Sequence, residues 1–367
     1  MSNLNDKMMT FAVVQPYVVS STKKPTETYV KSRDMVRWGE ENDYPNFLMD
    51  LYKTAPTLAS VIGGSIDFTI GDDVILNRGT QYVNRKQTAK DLATLIARDL
   101  WIFNGCALQV LRNADGGVAE IYHIDLRFLR TNKDANVFYY NEEWTRYNKG
   151  IVYPEYLPSL DWRNLDEAER ERNVSSIFYD KGLADGAYPQ PIYQAAIPSC
   201  EIERDLDMYH KNSLANGFSP SAVINFNNGA YTEDEKARIQ MALEKKFCGV
   251  ENAGALMCAF NESKESAVTI EAIKTEDFGD RYNALWGHCR QQIFTSFRAN
   301  PNLFGIPTDN NGFAAEQYQE SFKLYNRTHI TPIQKRITEI FEKIYGQSGV
   351  LTIVPFSLET TGEDNIE

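Results

Sequence analysis

Residues Pro301 to Gly312 read PNLFGIPTDNNG, and the two prolines, two glycines and three asparagines in these positions forbid a regular element. Proline removes a backbone donor, glycine and asparagine accept turn conformations, and the stretch therefore reads as a loop. What flanks it decides the fold. Ahead of it, from Thr275, Phe278, Tyr282, Leu285, Cys289, Ile293 and Phe297 recur at helical spacing, with Glu276 and Asp277 in the first turn. Behind it a long helix begins near Phe313, carrying Tyr318, Phe322, Tyr325, Ile333, Ile337, Ile340, Phe341 and Ile344, with a kink expected at Pro332.

Working outward, Pro198 opens another helix whose stripe is Ile202, Leu206, Tyr209 and Leu214, stopped by Gly217. Between these helices lies a small mixed segment. Its expected parts are a strand at 222–226, a turn at Asn227-Asn228-Gly229, a helix over 232–247, and strands at 255–260 and 268–273. Upstream, helical spacing runs from Tyr44 to a stop at Gly63-Gly64, interrupted at Pro56, and a cleaner amphipathic helix covers 86–103. The period then changes. Strands at 107–112 and 118–124 flank Asp115-Gly116-Gly117, a hairpin signal, and more follow at 137–140 and 151–153. Residues 44–190 read as one α+β domain, the first forty residues as an extended arm, and 350–355 as a last strand before an acidic tail.

Composition excludes several function classes. Fifty acidic against 38 basic residues give a net charge of −12, the wrong sign for a protein that grips DNA by neutralising phosphates. The 43 % hydrophobic content, 20 tyrosines and 19 phenylalanines suit a folded chain with large cores or interfaces. Cys106, Cys200, Cys248, Cys258 and Cys289 are odd in number and widely spaced, which excludes a disulfide framework or zinc ribbon. No signal peptide or membrane span can be drawn.

Candidate chemistry is thin. His288 and Cys289 are adjacent, but on a helix they point about 100° apart and make no dyad. His123, His210 and His329 lack the i, i+4 partner of a zinc helix. Asp67 with Asp72 and Asp73 could hold metal ions for phosphoryl transfer; the context reads instead as a turn leaving a strand over 66–70. No phosphate-binding glycine motif is present. No catalytic, metal or cofactor site is therefore expected.

Four passages in a fixed order resemble the portal proteins of tailed bacteriophages: DLWIFNGCALQVLR (99–112) with its hairpin and IYHID (121–125); YPQPI (188–192) with the helix to NGFSP (216–220); FRANPNLFGIP (297–307); and AEQ (315–317) through Phe322 to ITPIQKRI (330–337). The resemblance implies a portal-like α+β fold: an arm over 1–43, a wing over 44–190, a stem helix over 191–217, a clip over 218–274 and a second stem helix over 275–300. A tunnel loop over 301–312, a long wing helix over 313–345 and a short strand with an acidic tail over 346–367 follow, with the helical crown reduced or absent. It further implies a structural ring of about twelve subunits in the virion. Such a ring passes double-stranded DNA, docks the terminase large subunit and then a head-tail adaptor, and sits against the major capsid protein. Asn302, Leu303, Asn310, Asn311 and Gly312 are then expected on the channel loop. Six carboxylates against two lysines between Glu262 and Asp280, among them Glu271, Glu276, Asp277 and Asp280, are expected to repel phosphate at the channel mouth. A different head-tail connector or a metal-dependent phosphoesterase are the alternatives.

Overall fold

The computed structural model describes residues 23–144, 150–215, 223–226, 232, 234–239, 241, 257–260, 278–305 and 315–357. They fall into two compact units, one built from residues up to Glu201 and from Arg290 onward, the other from Ile202 to Cys289.

The larger unit begins with a hairpin, β1 (Glu27–Val30) and β2 (Met35–Trp38), turned through Asp34 at positive φ. This part of the expected arm is not extended. Met35, Val36 and Trp38 are buried, Tyr188 stacks on Trp38 at 4.5 Å, and the Glu27 carboxylate accepts the backbone N–H groups of Ala187 and Tyr188. The hairpin thus completes its own core.

Two helices follow, α1 (Tyr44–Thr54) and α2 (Pro56–Ile70), each with proline in its first turn, where no intrahelical donor is lost. The expected stop at Gly63-Gly64 does not occur, and residues 66–70 are helix, not strand. An added Cβ on Gly64 would lie 2.8 Å from the Phe304 ring, so the glycine admits an aromatic side chain against the helix. The chain then turns at Gly71 and Asp72 and enters β3 (Asp73–Leu76), a strand the sequence had not suggested. Helix α3 (Ala89–Phe103) starts at a Thr88–Asp91 capping box and ends at Asn104 in the left-handed region.

Strands β4 (Cys106–Arg112) and β5 (Val118–Ile124) form the expected hairpin. Next come β6 (Leu129–Thr131), β7 (Val137–Tyr140), β8 (Ile151–Pro154), α4 (Glu167–Asn173) and β9 (Ser175–Asp180). The sheets are antiparallel, in the orders β5-β4-β9 and β6-β7-β8. Central β4 is almost wholly buried, and α3 packs beside it.

Helix α5 (Ile197–Ala215) leads into the smaller unit. There β10 (Val223–Phe226) pairs in parallel with β11 (Met257–Phe260), and residues 234–239 between them are helical. A parallel pair needs a crossover, as the mixed segment anticipated. The expected strand over 268–273 lies outside the described residues. Helix α6 (Phe278–Ser296) returns the chain to the larger unit.

The long helix is interrupted. Helix α7 (Ala315–Tyr325) passes into a π-helical stretch, Asn326–Ile330, and then α8 (Thr331–Tyr345). Pro332 has no N–H for the Thr328 carbonyl, so an α-helical turn cannot close there. The wider turn bonds Thr331 N–H to the Asn326 carbonyl instead. It also sets the phase: Phe322 and Tyr325 are buried before it, Ile330, Ile337, Ile340, Phe341 and Ile344 after it, and the five-residue step from 325 to 330 needs the extra residue. Finally β12 (Leu351–Val354) pairs antiparallel with β3, closing the unit across nearly the full sequence.

Candidate functional site

The loop that the sequence singled out starts from a built platform. Helix α6 ends in a closure where Arg298 N–H donates to the Thr295 carbonyl and Ala299 N–H to the Phe294 carbonyl, both at 3.0 Å. This double bond pattern requires a left-handed residue, and Arg298 supplies it at φ +49°. Asn300 then caps a short turn, Pro301–Phe304: its side-chain oxygen accepts from Asn302 N–H at 3.1 Å and its amide donates to Ser321 Oγ at 2.9 Å. Gly305 ends the turn at φ +77°.

Leu303 is 6 % exposed and belongs to the core. The expectation that it lines a channel does not survive that burial; it pins the base of the loop. Phe304 does the same, its ring 5.7 Å from Tyr325 and 6.1 Å from both Phe68 and Phe294. Tyr325 shares a hydrogen bond with Ser65 Oγ at 2.8 Å, and burial pushes its phenol up to about 12 against the lowering effect of that bond. His329 stacks on Tyr325, and burial first, then the charge of Arg298, holds its imidazole below the ordinary histidine range. Asn302 is half-buried at the loop's start.

Asn310, Asn311 and Gly312 lie outside the described residues, as do Glu271, Glu276 and Asp277; Asp280 sits on α6 with its side chain outside them. Sequence reading missed the anchoring residues Asn300 and Phe304. The pair Asn300-Pro301 carries a capping signal that could have shown the first.

In the smaller unit α5 and α6 meet through polar groups. Tyr282 donates to the Asp207 carboxylate at 3.3 Å and lies edge-on to His210, and Glu203 and Cys289 are sealed from solvent. Burial, then the Glu203 charge, pushes the Cys289 thiol up. Two residues of the expected α5 stripe face out, Ile202 at 40 % and Tyr209 at 44 % exposed, beside Met208; Leu206 is half-buried and the Leu214 side chain lies outside the described residues. Periodicity placed these residues on one helical face, and at Ile202 and Tyr209 that face is open to solvent.

Among the described residues no group of three or more His, Cys, Asp or Glu side chains could hold a metal ion, and no helix is long and apolar enough to cross a membrane.

The sequence profile of the phage portal protein family matches residues 74–353. The chain belongs to that family. Its fold is similar to a chain in the neck of a native gene transfer agent particle, computed with C12 symmetry, at a TM-score of 0.51 and 15 % identity over 86 % of this chain and 85 % of that one. A chain of the native gene transfer agent virion matches with the same TM-score and identity, over 86 % of this chain and 84 % of that one. An HK97-family phage portal protein from Corynebacterium diphtheriae matches at a TM-score of 0.42 and 14 % identity, over 83 % of this chain and 92 % of that one. No curated protein sequence matches significantly. The portal-family chain thus has a mixed helix and sheet fold of the kind found in these particles, and a structural role in a portal.

Proposed function

We propose that this chain is one subunit of a closed ring of twelve, set at a single vertex of a capsid, through which double-stranded DNA enters and leaves. The observation that carries the proposal is the exposed apolar stripe of α5 on a chain of the portal family. Ile202 and Tyr209, one helical face apart by seven residues, stay two-fifths exposed while a polar face of the same helix packs inward. A helix normally buries its apolar stripe, so this one wants a neighbour. A ring supplies one on each side, through head-to-tail contacts that close. Twelvefold symmetry is taken from the neck particle named above, to which the fold is similar.

Within that ring Asn302 and the loop after Gly305, with Asn310, Asn311 and Gly312, face the channel, and Leu303 and Phe304 hold them from behind. Glu271, Glu276, Asp277 and Asp280 form an acidic belt that centres the duplex without gripping it, since at about 0.15 M salt the field reaches only on the order of 8 Å. The clip docks the terminase large subunit during packaging and a head-tail adaptor afterwards, and the wing lies against the major capsid protein. The role is structural, without catalysis, and its place is the virion. Native mass spectrometry combined with electron micrographs of the purified chain tests this. The expected species is a closed ring near twelve subunits with a central hole; a stable monomer at micromolar concentration across salt conditions overturns it.

A further inference from the structure

The α6 terminus contains a residue that costs stability where it stands. In the double closure at Thr295 and Phe294 the left-handed position is ordinarily glycine, sometimes asparagine, because a side chain there crowds its own backbone. The chain follows that rule elsewhere: α3 ends on Asn104 and α8 on Gly346. At α6 it places Arg298, at φ +49°. A disfavoured conformation retained with a long cationic side chain is the kind of outlier from which a function can be inferred.

Nothing within the described chain explains the choice. The Arg298 side chain is exposed and, among the described residues, has no hydrogen bond or ion pair. Its charge acts on another base, His329, which it disfavours in the charged form after burial has done so. The next residues along the chain with polar side chains, Asn300 and Asn302, are uncharged. Repulsion from a neighbouring base, and no carboxylate partner among the described residues, leave a guanidinium open to an external anion. A guanidinium presents paired donors that match two phosphate oxygens.

We propose that Arg298 is the phosphate-contacting residue at the base of the channel loop, where its ring-related copies make a belt of guanidinium groups at one level against the backbone of duplex DNA. This rests on the ring reading above. The side chain acts on the DNA as it passes, and the left-handed backbone fixes where on the rim of α6 the charge is presented. Because a belt at one level meets only the two strands of the duplex at a time, binding stays weak and its salt dependence shallow, and Arg298 accounts for most of what salt dependence there is.

The test uses the full chain, assembled, with a linear duplex as probe between about 50 and 200 mM salt. Ring formation is measured first on wild type, Arg298→Gly, Arg298→Asn and Arg298→Lys. Glycine and asparagine suit the left-handed position, so their rings should form with a melting temperature equal to or above wild type. Both should flatten the slope of log affinity against log salt by about 1 to 2, because at one level the duplex offers the belt only its two strands and so one or two phosphates at a time. Lysine keeps the charge and should keep the slope. A glycine variant with the wild-type slope overturns the inference, and so does a lysine variant that loses the slope as fully as glycine. A wild-type chain that forms no ring overturns the ring reading, and this inference with it.

Discussion

In the larger unit Trp38, Trp101, Tyr193 and Phe297 are sealed from solvent, and even the Arg130 guanidinium is buried, bonded to Asn42 and to the carbonyls of Arg127 and Leu129, with desolvation lowering its pKa to about 10. The helices of the smaller unit show the opposite economy. Ile202, Met208, Tyr209 and Leu285 keep 40 %, 43 %, 44 % and 41 % of their surface, while Glu203 is fully enclosed. Three exposed apolar side chains on one helix, Ile202, Met208 and Tyr209, leave surface that a covering partner would remove from water. The larger unit has apolar side chains in water too, Ile151 and Val152 at 59 % and 58 %, but among the described residues it also holds an extensive sealed core; the α5 face is the one we read as covered by a neighbouring subunit.

The largest expected effect falls in the larger unit. Arg336 bonds the Asp180 carboxylate at 2.7 Å and the Asn104 side chain and carbonyl at 2.8 and 3.0 Å, tying α8 to β9 and to the end of α3. Arg336→Ala should cost about 2–3 kcal/mol in urea unfolding, between a surface pair and a fully buried one, since both partners keep about a fifth of their side-chain surface. Burial alone would raise the Asp180 carboxyl; the Arg336 hydrogen bond and charge, with Gly182 N–H, outweigh it and hold it below the usual range. A lowered carboxyl stabilises fully above its unfolded pKa near about 4, and the benefit is lost as pH falls through the folded value. The gap between wild type and variant should thus narrow below about pH 4. A gap that is constant with pH would mean the loss is one of packing.

Much of this contrast was hidden in the sequence. The β4–β5 hairpin was legible because its turn, Asp115-Gly116-Gly117, and both strands are local. Strand β3 was not: its partner β12 begins 275 residues from the paired Leu76, and Gly71-Asp72-Asp73 carries every mark of a turn. The two glycines inside α2 looked like a stop because their compensation, the Phe304 ring against Gly64, comes from the far end of the chain. Periodicity found the α5 stripe but cannot say whether one's own chain or another covers it. Leu303 sits in a loop-forming sequence, and only the packed structure shows that the loop's first residues turn inward.

The stripe can be tested directly. Because Ile202 and Tyr209 are already two-fifths in water, Ile202→Glu and Tyr209→Glu should leave the melting temperature unchanged when it is read on chain diluted below the concentration at which rings form. Each apolar side chain covered by a neighbour contributes about 1–2 kcal/mol. Assembly should therefore require about tenfold more protein for each substitution, read by native mass spectrometry. Equal loss of monomer stability would place these side chains in the chain's own core and erase the distinction between the units.

The smallest effect gives the finest comparison, because both units contain the same device. Asp91 N–H donates to Thr88 Oγ1 at 3.2 Å and Thr88 N–H to the Asp91 carboxylate at 2.8 Å; Glu235 N–H donates to Thr232 Oγ1 at 3.3 Å and Thr232 N–H to the Glu235 carboxylate at 2.9 Å. In each box the backbone hydrogen bond lowers the carboxyl below its ordinary value, so the benefit is present above the unfolded pKa and is lost as pH falls through the folded one. Removing either threonine hydroxyl costs about 1 kcal/mol locally. What differs is where the loss should be felt. Helix α3 is built into the core of the larger unit, so Thr88→Ala should lower global unfolding free energy by the full amount. Residues 234–239 belong to the unit inferred to depend on assembly, so Thr232→Ala in the monomer should leave the global transition alone and speed amide exchange in that helix about fivefold. Hydrogen exchange beside urea unfolding separates the two. If Thr232→Ala moves the global transition as far as Thr88→Ala does, the units unfold as one and the smaller needs no neighbour to be stable.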